Sequence, residues 1–146
     1  QNTIIKDPEN RQGRAAIRLI KKEGALVTGT AVYTRMQAYL AAEAGADYVA
    51  PYVNRIDNLG ADGIRTTKDI HMLFQNNGLK TQVLAASFKN SQQVQELCLY
   101  GIGAATVSAD VMESLLKNDA VDMAVSVFRR DFEGLCGQGK TMKNCG

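Results

Sequence analysis

The stretch that decides the fold reads Tyr48-Val49-Ala50-Pro51-Tyr52-Val53-Asn54-Arg55-Ile56-Asp57. Its first six residues are mostly apolar, β-branched or aromatic, and they predict a buried strand over residues 48–53. The polar side chains of Asn54, Arg55 and Asp57 follow at the carboxyl end of that strand, where α/β folds build their sites. Because Pro51 donates no ladder hydrogen bond, an edge strand followed by a solvated loop is the simpler interpretation of this pattern.

Outward from this stretch, apolar strands alternate with amphipathic helices in both directions. Thr34 and Gln37 have the spacing of a capping box and predict a helix start. Ser91 has the character of another helix cap. The predicted strands cover residues 3–6, 25–32, 48–53, 81–88 and 103–108, and the predicted helices cover residues 11–23, 35–44, 66–76, 91–100, 110–116 and 121–133.

This alternation predicts the α/β class, built from parallel βα repeats with both faces of the sheet covered. Five strands with right-handed crossovers form either an open doubly wound sheet or an arc of a (β/α)8 barrel. A complete barrel needs at least about 200 residues, whereas this chain has 146. We therefore expect residues 1–133 to form part of a barrel with C-terminal helices, and residues 134–146 to form a flexible tail.

Composition excludes several classes of function. The chain is 45% hydrophobic, which suffices for a real core, and its net charge is only +2 with the Lys and Arg residues dispersed. No basic stripe indicates binding to nucleic acid or to a membrane surface. No apolar run approaches the roughly 18 residues of a membrane span.

The residue types that most often bind metals are scattered. Cys98, Cys136 and Cys145 show neither metal-ligand spacing nor the paired spacing of disulfides. An odd number of scattered thiols is typical of a reducing cytosol, so we expect a cytoplasmic protein. His71 lies on a predicted helix without ligand partners at suitable spacing, so we expect it to pack or to face solvent.

One motif resembles a phosphate-binding loop. The run Gly134-Leu135-Cys136-Gly137-Gln138-Gly139-Lys140-Thr141 satisfies the pattern G-x-x-x-x-G-K-T. That mechanism requires a strand before the loop and a helix after it. Here a predicted helix precedes the run and only five residues follow it, so we interpret the match as chance.

Polar residues stand at or near the carboxyl ends of four predicted strands. They are Lys6, Thr30, Tyr52 with Arg55, and Ser87. Each has an ordinary explanation, because lysines snorkel at surfaces and hydroxyl groups usually bond to nearby backbone. Successive strands that deliver polar groups to one rim nevertheless produce the geometry of a barrel active site.

Four motifs in this order resemble the fructose-6-phosphate aldolase branch of the transaldolase family, from about residue 3 to residue 131. They are Ile4-Ile5-Lys6, Thr28-Gly29-Thr30-Ala31-Val32-Tyr33, the stretch from Tyr48 to Asp57, and Val83-Leu84-Ala85-Ala86-Ser87-Phe88-Lys89. The resemblance implies a (β/α)8 barrel enzyme that uses a lysine Schiff base and needs neither a metal nor another cofactor.

The resemblance also implies a role for each residue. Lys6 would form the Schiff base at the end of the fourth barrel strand, Thr30 would order the catalytic water, and Tyr52 would help proton transfer. Phenylalanine is usual at this position in the transaldolase branch, so Tyr52 favours the aldolase. Arg55 and Ser87 would hold the substrate phosphate. These residue types suit the chemistry, because a lysine attacks a ketone as the free amine and an arginine fork fits a terminal phosphate.

By resemblance, the first three barrel strands would lie upstream of Gln1, together with an aspartate and a glutamine or glutamate of the active site. The expected substrates are small sugars and sugar phosphates, and the expected reaction makes or cleaves fructose 6-phosphate. Two alternatives stay open: a transaldolase that moves a dihydroxyacetone unit between sugar phosphates, and a non-catalytic barrel fragment. Members of the family tend to form ring-like oligomers, which makes residues 121–133 a candidate subunit contact.

Overall fold

The computed structural model describes residues 4–8 and 11–145, with side chains from Gln12 onward. Within this part of the chain, strands and helices alternate as the sequence predicts. The elements are β1 (Ile4–Pro8), α1 (Arg11–Lys22), β2 (Leu26–Val32), α2 (Arg35–Glu43), β3 (Tyr48–Pro51), α3 (Val53–Asn58), α4 (Gly63–Asn76), β4 (Gln82–Ala85), α5 (Ser91–Tyr100), β5 (Ala104–Ala105), α6 (Ala109–Leu116) and α7 (Asp119–Cys136).

The described strands form one parallel sheet in the order β1-β2-β3-β4-β5. Each strand lies beside its sequence neighbour, as in an arc of a (β/α)8 barrel, and this confirms the predicted class of parallel βα repeats. In a doubly wound sheet the strand order would instead reverse at a switch point. The sheet therefore has the connectivity of part of a barrel.

The strand β3 lies in the middle of the sheet, so the edge-strand interpretation of Pro51 is wrong. The missing N–H of Pro51 lies on the β4 side of the strand, because Pro51 O accepts a hydrogen bond from Ala86 N, while the N–H of Tyr52 donates to Val32 O on the β2 side. Gly29 pairs with Val49 and Val32 pairs with Pro51, which leaves one extra residue on β2. This extra residue forms a bulge on β2. Pro51 stands beyond the last paired position of β3 and β4, Val49 with Val83, so its missing N–H falls where that ladder ends.

The main core lies between one face of the sheet and the helices. The central strands contribute Val27, Val49 and Val83 to it, each no more than 1% exposed. Because side chains alternate along a strand, the intervening residues point to the opposite face of the sheet. The helical side of this core includes Ile17, Ala38, Ala41, Ala42, Ile70 and Phe74.

Several element boundaries differ from the predictions. Residues 53–58 form the short helix α3 instead of a loop, and the last strand shortens from 103–108 to Ala104–Ala105. The capping box of Thr34 and Gln37 is confirmed by both of its hydrogen bonds. The cap of α5 is Asn90, whose side chain accepts a hydrogen bond from the backbone of Gln93, so the assignment of the cap to Ser91 is wrong by one position.

The chain divides into two compact units, residues 1–114 and 115–146. In the second unit, Asn118 caps α7 through a hydrogen bond from Ala120 N. The helix continues to Cys136, beyond the predicted end at residue 133. Among the described residues no helix follows Thr141, which confirms that the phosphate-loop motif lacks its structural context. The flexibility of residues 134–146 stays a prediction.

Cys136 and Cys145 form a disulfide bond, while Cys98 is a free, exposed thiol. The prediction that the three cysteines are unpaired is therefore wrong for two of them. Nine positions separate the pair, and the turns that follow α7 bring the chain back towards the end of this helix. No helix in residues 11–145 combines the length and the hydropathy required to cross a bilayer.

Candidate active site

A cavity of about 310 Å³ opens at the carboxyl ends of β2, β3 and β4, on the face of the sheet opposite the main core. It brings together four of the five predicted site residues. Its lining consists of Thr28, Thr30, Ala50, Tyr52, Arg55, Leu84, Ala86, Ser87 and Thr106. A slightly larger cavity of about 360 Å³ lies at the amino ends of the strands, beside Asp47 and Thr81. Barrel enzymes carry their chemistry at the carboxyl ends, so the first cavity is the candidate active site.

Tyr52 lies immediately after β3 and is held there by the backbone. Its N–H donates to Val32 O at 3.1 Å, and it forms an isolated bridge with Ala86. The half-buried phenol ring also contacts the ring of Tyr33 edge to face, with centroids 5.9 Å apart. These contacts hold the ring of Tyr52 in place, and Tyr52 lines the cavity.

The side chain of Arg55 extends from α3 to the ring of Tyr52. Its guanidinium carbon lies 4.7 Å from the centroid of the Tyr52 ring, within cation–π range. The sequence places these residues three positions apart, and the first turn of α3 brings them face to face. The exposed planar fork of Arg55 is thereby available to an anionic ligand beside the phenol.

Backbone strain is concentrated at the cavity. Within the described residues, Ala31 (φ 54°) and Ser87 (φ 61°) are the two non-glycine residues with positive φ. Ala31 belongs to the β2 bulge directly after Thr30, and Ser87 follows β4 and lines the cavity itself. Such conformations cost of order 1–3 kcal/mol each and cluster at functional sites. Here they accompany the residues that supply hydroxyl groups to the rim.

The position of Lys6 is defined by strand register. Lys6 pairs with Thr28 across β1 and β2, and Pro8 pairs with Thr30. Opposed positions in neighbouring parallel strands lie on the same face of the sheet, so position 6 shares the face that carries the cavity. The side chain of Lys6 lies outside the described residues, and its role stays a prediction.

Two hydroxyl residues of the cavity were missed by the sequence analysis. They are Thr28, which is only 1% exposed, and Thr106, and both line the cavity. The period of two along a strand was the available signal for Thr28, because it places this residue on the same face as Thr30. The predicted strand 103–108 runs past Thr106, so the sequence analysis did not recognise this residue as the end of a strand. The observed strand ends at Ala105.

A polar network behind the cavity was also missed. The side chain of Gln93 is bonded to Asp57, Asn54 and the backbone of Lys89. The Asn90–Gln93 spacing, which matches that of Thr34 and Gln37, was the available local signal. The bond to Asp57 joins residues 36 positions apart, so no local pattern predicts it.

The carboxyl group of Asp110, in the first turn of α6, has a lowered pKa. A hydrogen bond from the Ser108 side chain holds the pKa of Asp110 below its usual value, and the charge of Lys89 acts in the same direction. The ionised carboxylate lies in the first turn of α6, where a negative charge favours the helix. We assign Asp110 a structural role.

The remaining candidates for ligand binding have structural explanations. His71 packs edge to face on Tyr100, with ring centroids 5.6 Å apart, which confirms its expected packing role. The residues with described side chains contain no cluster of three or more His, Cys, Asp or Glu residues arranged to hold a metal ion.

The comparison with known families agrees with this arrangement. The sequence profile described as transaldolase/fructose-6-phosphate aldolase matches residues 1–143, which is nearly the whole chain. The parallel βα repeats and the polar rim at the strand ends are what a barrel enzyme of this kind requires. The chain belongs to the transaldolase/fructose-6-phosphate aldolase family.

Proposed function

We propose that the chain carries the site of a class I aldolase that makes or cleaves fructose 6-phosphate, with dihydroxyacetone and glyceraldehyde 3-phosphate as the other reactants. The observation that carries this proposal is the cavity that unites Thr30, Tyr52, Arg55 and Ser87. The strand that contains Lys6 pairs in parallel with the strand that contains Thr30. Family membership supports aldolase or transaldolase chemistry in general, and the specific substrates are our proposal.

The proposed reaction begins at Lys6. Its free amine adds to the C2 carbonyl of dihydroxyacetone, and loss of water leaves an iminium ion. Removal of a proton from C3 produces an enamine, whose C3 attacks the aldehyde carbon while the aldehyde oxygen gains a proton. Water then hydrolyses the iminium and releases fructose 6-phosphate and the free amine. The iminium serves as the electron sink in both directions.

The cavity residues divide the remaining tasks. We propose that Tyr52 moves the proton through a water molecule that the Thr30 hydroxyl orders. Arg55 and Ser87 then hold the phosphate of the aldehyde, the former through its fork and the latter through its hydroxyl group. Their separate places on α3 and after β4 allow the phosphate to be contacted from two sides.

A transaldolase is the runner-up, and Tyr52 is the feature that separates the two reactions. In both, Lys6 would hold the three-carbon unit as an enamine. An aldolase protonates that unit and releases it, whereas a transaldolase keeps it until a second sugar phosphate arrives. A phenol at the enamine favours protonation. A non-catalytic barrel fragment is the further alternative, because β1 and β5 are the two outer strands of the described sheet.

We also propose that the protein forms homo-oligomers through α7. Several of its apolar side chains are more than half exposed, including Val121, Met123, Val125 and Phe128. A helix surface of this kind commonly packs against another subunit. We propose the cytoplasm as the location because sugar phosphates are charged metabolites, and in its reducing conditions the Cys136–Cys145 pair would be present as thiols.

Borohydride trapping tests the proposal. The full-length protein is incubated with dihydroxyacetone and sodium borohydride, digested and examined by mass spectrometry. We expect one reduced adduct on Lys6 and none in the Lys6→Met variant. An adduct on Lys89, or on Lys21, which is paired with Asp47 at 2.8 Å, would contradict the assignment. The absence of any adduct would favour the non-catalytic fragment.

A further inference from the structure

We propose that Gln93 is a positioning residue that sets the spacing between Arg55 and Ser87, the two proposed phosphate ligands. The inference rests on the proposed function, since it concerns how the phosphate site is built. Gln93 lies in the first turn of α5, is only 5% exposed, and does not line the cavity. It therefore acts through other residues and has no direct contact with the substrate site.

The side-chain amide of Gln93 joins the two segments that carry these ligands, the helix α3 and the loop after β4. Its Nε2 donates to Asp57 Oδ2 at 2.7 Å and, more weakly, to Asn54 Oδ1 at 3.4 Å, both on α3. Its Oε1 accepts a hydrogen bond from Lys89 N at 2.8 Å. The segment between β4 and α5, which contains Ser87, is thus bonded to the helix that carries Arg55.

Further hydrogen bonds hold both ends of the helix α3. The backbone N–H groups of Val53 and Asn54 donate to the carbonyl oxygens of Ala86 and Ser87, at 2.9 and 3.0 Å. The second carboxylate oxygen of Asp57 accepts a hydrogen bond from Gly63 N at 2.7 Å. Both ends of α3 are therefore bonded, and Gln93 makes the bond that joins the far end of α3 to the Ser87 loop.

The strength of the bond between Gln93 and Asp57 explains why the spacing of the two phosphate ligands depends on it. An amide that donates to a carboxylate forms a charge-assisted hydrogen bond, which is stronger than a neutral one. Because Gln93 is only 5% exposed, its own amide would be left buried without this partner if the bond were lost, and an unpaired buried donor is costly. A phosphate bound by one group on a helix and another on a loop requires both groups at fixed positions, and a shift of about 1 Å suffices to weaken productive binding.

Gln37 provides a matched control within the same chain. It occupies the equivalent capping position of α2, where its Oε1 accepts from Tyr33 N and Thr34 N at 2.9 and 3.0 Å. Its amide nitrogen donates no hydrogen bond to another residue in the described part of the chain. Gln37 therefore caps a helix without joining it to a second βα unit, and the same substitution there tests capping alone.

The experiment exchanges the amide and the carboxylate in the full-length protein. In Gln93→Glu two carboxyl groups face each other. The double variant D57N/Q93E reverses donor and acceptor only in the side-chain bond between positions 57 and 93, and the bonds donated by Gly63 N and Lys89 N are retained. KM and kcat are measured in the aldol direction with dihydroxyacetone, using either glyceraldehyde 3-phosphate or unphosphorylated glyceraldehyde. The ratio of the two KM values isolates phosphate binding from the rest of the reaction.

We expect Q93E to raise KM for the phosphorylated aldehyde about 10-fold, with little change for the unphosphorylated one. The double variant should recover the original ratio, and Gln37→Glu should leave the ratio unchanged. A ratio that Q93E does not alter, or that the double variant does not restore, would overturn the role of Gln93 alone. If the unaltered protein shows no preference for the phosphorylated aldehyde, the proposed phosphate site is wrong and this inference with it.

Discussion

The guanidinium group of Arg55 lies over the ring of Tyr52, with 4.7 Å between the guanidinium carbon and the ring centroid. The proposed phosphate ligand and the proposed proton carrier are therefore in direct contact. A phosphate that draws Arg55 into a fixed orientation also fixes the position of the phenol. We therefore expect phosphate binding and proton transfer to be coupled through this stack, and the two residues require separate tests.

Tyr52→Phe removes only the hydroxyl group, since the ring that Arg55 covers is retained. We expect cleavage of fructose 6-phosphate to fall roughly 10²-fold, the lower end for the loss of an acid–base group. Transfer of the three-carbon unit to a second sugar phosphate should be spared or increased. Coupled assays of both reactions measure this, with Tyr33→Phe as the control because Tyr33 contacts Tyr52 without lining the cavity. Unchanged cleavage would exclude the phenol from the mechanism.

Arg55→Gln removes the positive charge and the bidentate fork. Hydrogen bonds to charged groups contribute about 1.5–3 kcal/mol, so KM for fructose 6-phosphate should rise roughly 10- to 100-fold. Steady-state kinetics measure the change, and Arg65→Gln on the exposed part of α4 is the control for loss of charge. Equal effects of the two substitutions would mean that Arg55 contributes only its charge to the overall electrostatic potential of the protein.

Gly63→Ala tests the close packing behind the site. A Cβ at this position would lie 2.1 Å from Val53 O, so the start of α4 and the start of α3 must separate. We expect a loss of about 1–3 kcal/mol in the free energy of unfolding, measured by urea denaturation. Gly103→Ala is the control, because a Cβ there meets nothing within 4 Å. Equal stability of the two variants would show that α3 adjusts without cost.

The two outer strands of the described sheet lead to a prediction about association. β1 and β5 each have one strand neighbour, and strands with unpaired N–H and C=O groups recruit partners or aggregate. We expect this 146-residue chain, expressed alone, to be insoluble or inactive, or to associate with further chains. Size-exclusion chromatography with light scattering measures this. A soluble monomer that cleaves fructose 6-phosphate would contradict the prediction.

The sequence by itself determined the order of the elements. Hydrophobic periodicity and the capping pair of Thr34 and Gln37 are local signals, so the alternation of strands and helices could be predicted from them. The carboxyl end of each strand followed from the same signals. The four polar residues that line one cavity were therefore identifiable before the fold was known, and the family resemblance suggested the role that we propose for each.

The tertiary structure decided what depends on contacts between distant segments. The helix α3 is only six residues long, too short to form from its own propensity, and it exists where its first N–H groups reach the carbonyl oxygens after β4. The Cys136–Cys145 disulfide and the Gln93–Asp57 bond likewise depend on how the chain returns on itself. The order of the elements is thus encoded locally, whereas the spacing of groups around the cavity arises only when separate βα units pack together.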